Sequence, residues 1–130
     1  MKRISTTVLA CLLFGPLLMA ASSGGWLTKV PAVARARTNP ALGQAEAVAA
    51  GRVLYQDHCT QCHGASGEGR GKHPALRSPR VAAAADGELF WLLTNGYRGM
   101  PRWTRLPEAE RWQIVGYLRS LQAGPAGTGR

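Results

Sequence analysis

Residues 58–71 read HCTQCHGASGEGRG, and the fold turns on what this stretch binds. Cys59 and Cys62 stand three apart, with His63 directly behind the second. Such a pair can hold zinc, form a redox disulfide or carry a covalently attached haem. A structural zinc needs four ligands, and the remaining candidates are badly placed: His58 adjoins Cys59 and points elsewhere, and His73 stands alone in a glycine-rich loop. A thioredoxin-like disulfide needs a strand-to-helix turn in a βαβ setting, and no segment of this chain alternates as a strand does. Haem accounts for the spacing directly. Cysteines at i and i+3 lie on one side of a helical turn and reach the two vinyl groups on one porphyrin edge, and His63 then swings under the iron.

The flanking segments predict how the motif is held. Residues 43–59, GQAEAVAAGRVLYQDHC, read as a helix, with Val48, Arg52, Tyr55 and Cys59 at helical spacing beside Gly51. This helix delivers the cysteines. Residues 64–80 hold four glycines and two prolines and read as a long irregular loop. Residues 86–96, DGELFWLLTNG, predict a short helix with Asp86 as N-cap, Glu88 in the first turn, an apolar set at Leu89, Phe90, Leu92 and Leu93, and Gly96 as the stop. A last helix is signalled by Pro107, by Glu108 and Glu110 in its first turn, and by Trp112, Val115, Leu118 and Leu121 at helical spacing. Arg119 sits where positive charge favours a helix C-terminus. The expected fold class is therefore all-α, with about three core helices and long loops.

The chain has 130 residues and one block of chemistry. Lys2 and Arg3 precede an apolar run over residues 8–21, followed by small residues, so residues 1–23 read as an export segment. It serves either as a cleaved signal or as a retained inner-membrane anchor. Cys11 lies inside that run, which leaves Cys59 and Cys62 as the cysteines of the exported part. Residues 24–42 combine Gly, Pro and scattered Arg without helical periodicity and read as a flexible linker. Residues 43–122 then form the domain, and residues 123–130 a disordered tail. A domain of this size has a weak apolar core unless something fills its middle.

A haem iron held by one histidine takes a thioether, a second imidazole or an open site on its other face. Met1 and Met19 fall in the export segment, so Met100 is the candidate. It sits in NGYRGMPRW, where Gly99 gives backbone freedom and Pro101 restrains the loop after it, a setting unlike a helix core face.

At this point the chain resembles the class I c-type cytochromes, in particular small monohaem cytochromes and cytochrome subunits of bacterial periplasmic electron-transfer chains. The resemblance rests on GRVLYQDHCTQCHG, KHPALRS, DGELFWLLTNGYRGMPRW and WQIVGYLRSL, in family order. It implies a compact cytochrome c fold around one haem c, with Cys59 and Cys62 as thioether anchors, His63 proximal and Met100 distal. It further implies that the Pro74 carbonyl orients His63, that Gly51 and Tyr55 mark the crossing of the first and last helices near Tyr117, and that Leu76 and Trp103 wall the haem.

With His and Met on its two faces the iron has no position for substrate. The expected role is electron transfer between periplasmic or membrane-bound redox partners, without enzymatic catalysis. The alternatives are a fixed cytochrome c subunit of a dehydrogenase or terminal oxidase, or a peroxidase or gas-binding protein whose distal side opens. The net charge of +9 suggests anionic partners, but export and the absence of aromatic-interleaved Lys/Arg runs argue against nucleic acid. Arg70, Lys72, Arg77 and Arg80 on one loop, and Arg98, Arg102 and Arg105 around Met100, are expected to face acidic redox partners.

Overall fold

The computed structural model describes residues 25–124. The export segment and the last six residues of the tail lie outside them. A 3-10 turn, Trp26–Lys29, is followed by six α-helices: α1 Ala32–Arg35, α2 Ala45–His58, α3 Thr60–His63, α4 Pro79–Ala83, α5 Asp86–Asn95 and α6 Glu108–Gln122. Among the described residues there is no strand, only isolated bridges at Arg70–His73 and Tyr97–Met100. The three long helices are those expected from spacing.

The core is the crossing of α2 and α6. A Cβ on Gly51 would overlap the Gln113 carbonyl oxygen and lie 3.1 Å from the Ile114 nitrogen, so the two helices meet backbone to backbone. Close approach buries what lies beside it. Tyr55, Trp112, Ile114 and Val115 are fully buried, and the Tyr55 ring lies 5.2 Å from that of Tyr117. Burying side chains of this size contributes about 1.5–3 kcal/mol each, which makes this crossing the main source of cohesion. On the other side of α6, α5 stacks Phe90 on Trp112 with centroids 4.0 Å apart.

Two details of α5 differ from expectation. Ala85, not Asp86, precedes its first helical residue, and the Ala85 amide donates to the Glu88 carboxylate at 2.7 Å. Asp86 instead accepts from Arg119 of α6 at 2.6 Å, and the same guanidinium donates to the carbonyls of Val81, Ala82 and Ala84. Arg119 thus joins α4, α5 and α6 rather than serving its own helix end. Gly96 ends α5 as expected, with φ 69.

The larger correction concerns the segment expected to be a flexible linker. Residues 25–42 are folded against the helices, and the folded unit begins well before Gly43. Trp26 and Val30 are buried in the core cluster, and Asn39 is buried with its amide donating to the Trp112 carbonyl at 2.9 Å. Arg35 pairs with Glu88 at 2.7 Å, and Arg37 pairs with Glu108 while lying over the rings of Phe90 and Trp112. Two isolated apolar residues and three polar ones carry this docking, which a search for helical periodicity passes over.

Candidate haem-binding site

Cys59 ends α2 and opens α3, so a single helical turn carries the motif. The His63 amide closes that turn onto the Cys59 carbonyl at 2.9 Å. Cys59 is buried, Cys62 is half-buried, and neither is in a disulfide. Gly64 stops the turn at φ 85, and the buried Tyr55 hydroxyl donates to its carbonyl at 2.7 Å. The loop then doubles back. The Gly69 amide donates to the His63 carbonyl at 2.7 Å, and the amides of Leu76 and Arg77 both donate to Gly67, itself at φ 75. Glu68 reinforces the bend by accepting from the Ser66 amide and hydroxyl, and its own backbone amide, with that of Ser66 next, holds its carboxyl below the usual range.

This folding delivers the Pro74 carbonyl to His63 Nδ1 at 2.9 Å. A carbonyl can only accept, so Nδ1 carries a proton, and in the neutral ring Nε2 is the nitrogen with the lone pair. The neighbouring His73 ring stands edge-on to His63, with centroids 6.4 Å apart.

The electrostatics of the motif weigh against a redox nucleophile. Burial, with Cys62 as a lesser cause, pushes the Cys59 thiol up to about 12. A redox-active thiol needs the opposite shift. Among the described residues no three His, Cys, Asp or Glu side chains converge as a metal cluster, so His58 and His73 do not complete a zinc site with the cysteines. Burial also lifts Tyr55 to about 12, with Cys59, Tyr117 and Glu68 adding to it.

Met100 is the last residue of a tight turn. Tyr97 and Met100 exchange two backbone hydrogen bonds, 3.2 and 3.0 Å, across Arg98, which adopts φ 53, and Gly99. A Cβ on Gly96 would lie 2.6 Å from the Met100 carbonyl oxygen, so glycine is required where α5 gives way to the turn. The turn is tied back to α5 by the Trp103 amide on Leu93 at 2.8 Å and by Arg102 Nε on Asn95 at 3.1 Å. The Trp103 ring lies 5.2 Å from that of His58, tilted by 46°, beside Cys59. The Met100 loop and the cysteine turn, some forty residues apart, therefore share one end of the molecule. Met100, Leu76 and Leu54 are half-buried there against the apolar core.

Comparison with known proteins agrees with this arrangement. Residues 46–118, more than half of the chain, match the family model described as cytochrome c oxidase, cbb3-type, subunit III. The chain belongs to this family of class I c-type cytochromes. Among solved structures, cytochrome CL from the marine methylotrophic bacterium Methylophaga aminisulfidivorans is similar, with a TM-score of 0.57 and 32% identity over 64% of this chain. The match covers 60% of that protein's length, so this cytochrome corresponds to only part of it. A search of curated proteins finds no match.

Members of the family carry haem c, covalently attached, with its iron. The donors of this cytochrome fit that group: two unpaired thiols on one helical turn, an imidazole whose Nε2 is free, and a thioether on a restrained turn beside apolar side chains. Spacing alone did not announce the supporting residues, namely Glu68 on the proximal loop and Trp26, Arg37 and Asn39 on the N-terminal segment. The isolated tryptophan in a Gly- and Pro-containing stretch was the one available sign.

Proposed function

We propose that this cytochrome is a one-electron carrier in which Cys59 and Cys62 attach the haem and His63 and Met100 ligate its iron from opposite faces. The observation that carries the reading is the His63 Nδ1 to Pro74 hydrogen bond of 2.9 Å. It fixes the ring's orientation and favours the neutral tautomer with Nε2 available. Bound haem supplies the redox chemistry, its iron alternating between ferric and ferrous states. Met100, held by the Tyr97 turn, favours the ferrous state relative to a second histidine and so raises the potential. The half-buried Leu54 and Leu76 and the buried Trp103 limit water around the group, which disfavours the more charged ferric form. With both axial positions taken there is no place for a substrate, so the role is transfer rather than catalysis.

Electrons exchange with acidic redox partners at the exposed loops. Arg35, Arg37 and Arg119 all have carboxylate partners, whereas Arg70, Lys72, Arg77, Arg80, Arg98, Arg102 and Arg105 form no ion pair among the described residues. Six of these seven belong to the loops that follow His63 and flank Met100, and Arg80 lies in α4. Charge of one sign so placed steers an oppositely charged partner and screens away with salt. The basic start and apolar run of residues 1–23 support export to the periplasm, as a cleaved signal or as an inner-membrane anchor.

A second reading, in which the domain is a fixed subunit of a terminal oxidase, is favoured by its match to the family of cbb3-type oxidase subunit III. Purification of the native assembly separates the two: a carrier elutes alone, a subunit with its complex. The ligand assignment is tested by Met100→Ala. The ferric protein should change its axial-ligand-dependent absorption spectrum and gain affinity for added imidazole. An unchanged ferric spectrum would refute the assignment.

A further inference from the structure

The folded N-terminal strap, residues 25–39, lies outside the span matched by the family model, yet it runs along the helix that leads into Met100. At the far end of α5, Gly25 abuts Tyr97, the residue that pairs with Met100: a Cβ on Gly25 would be 3.9 Å from the Tyr97 hydroxyl and 3.6 Å from the Arg80 guanidinium. At the near end the contact is backbone to backbone. A Cβ on Gly87 would overlap the Ala34 carbonyl oxygen and come within 2.8 and 3.0 Å of those of Arg37 and Arg35. Beside it Arg35 pairs with the buried Glu88, which also holds the Ala85 amide. Between these ends Trp26 and Val30 join the same core cluster as Leu89, Phe90 and Leu93 of α5.

We propose that this strap is a positioning element for the distal ligand, holding α5 and the Tyr97–Met100 turn in the geometry in which Met100 meets the iron. The inference rests on the reading of Met100 as that ligand. The turn needs such support: it carries Arg98 in the left-handed region, where a residue without glycine's freedom is strained, and its backbone pairing is only two hydrogen bonds. A strap that binds only the closed arrangement lowers the fraction of molecules with Met100 displaced. An added ligand reaches the iron only in that displaced fraction, so its apparent affinity reports the strap directly.

The test uses the full-length, haem-loaded ferric protein, with imidazole as the probe and limited trypsin digestion after Lys29, Arg35 and Arg37 as the measure of strap docking. Gly87→Ala removes room for the strap carbonyls while raising the helix propensity of α5, so loosening of the distal turn cannot come from unravelling of that helix. Trp26→Ala is the second variant and removes the strap's largest buried side chain. In both, trypsin should cut faster and imidazole bind about ten-fold tighter or more, with haem attachment unchanged. Faster cutting with unchanged imidazole affinity would overturn the proposal, as would Gly87→Ala that leaves cutting unaltered. Met100→Ala, run alongside, distinguishes the failures: if it binds imidazole no tighter than the parent, the ligand assignment is wrong and the strap's role falls with it.

Discussion

Gly51→Ala should destabilise the protein, although alanine is the better helix former by about 1 kcal/mol. The added methyl would overlap the Gln113 carbonyl group and stand 3.1 Å from the Ile114 nitrogen, all backbone atoms of α6 that no side-chain rotation can move. Restoring ordinary contact requires α2 and α6 to part, and parting loosens Tyr55, Ile114 and Val115, each now exposed by 1% or less. Overpacking of a well-filled core costs about 1–3 kcal/mol and occasionally more, and a rigid obstacle belongs at the upper end. After the propensity gain the net loss is about 2 kcal/mol, which lowers Tm by about 8–16 °C in a domain of this length. Thermal unfolding of the haem-loaded protein, followed by circular dichroism and Soret absorbance, measures it. Gly99→Ala, with nothing within 4 Å of its Cβ, is the control and should change stability by less than about 0.5 kcal/mol. A Gly51→Ala protein melting at or above the parent temperature would refute the backbone-contact account.

Tyr55 gives a pH signature. Its folded pKa of about 12 lies above the ordinary 10, so the fold favours the protonated hydroxyl, and that contribution is complete below pH 10 and lost as pH rises toward 12. Denaturant midpoints should therefore fall across this window, while Tyr55→Phe, which leaves the Gly64 carbonyl without its donor, should start lower and decline less. Arg119→Met strands Asp86 and the carbonyls of Val81, Ala82 and Ala84, and urea unfolding should register a loss of about 2–3 kcal/mol. Arg37 holds the Glu108 carboxyl below the ordinary range, so the strap contact is intact above pH about 4.3 and is lost as pH falls through the lower folded value. Amide-exchange protection of residues 32–39 should drop below pH 4, and not do so selectively if the contact is incidental. Oxidation of the reduced protein by an acidic partner should slow from low to moderate salt, and an insensitive rate would remove the steering role of the seven basic residues named above.

The three long helices were legible because their apolar positions recur at 3.6-residue spacing and their ends carry local signals, Gly96 above all. The cysteine turn was legible because its chemistry and its spacing are the same fact. The N-terminal strap was not, since its docking depends on a side chain that Gly87 lacks and on a carboxylate, Glu88, buried 53 positions along from Arg35. Asp86 was misread for the same reason: its local context fits a helix cap, but Arg119 reaches it from 33 residues away. The meeting of His63 with Pro74 came through family resemblance, because loop conformations set by Gly64 and Gly67 leave no periodic trace, whereas Met100 was a candidate by elimination among the methionines.

On the proposed reading, electron carriage depends on one haem tethered at Cys59 and Cys62 and held between His63 and Met100. Mass spectrometry of the mature protein after alkylation and tryptic digestion, reading the peptide of residues 53–70, tests that tether at its two bonds. The peptide should carry one haem and take up no alkylating reagent at Cys59 or Cys62. The same peptide without haem and alkylated at both thiols, from cells able to mature such proteins, would show that no haem is tethered there.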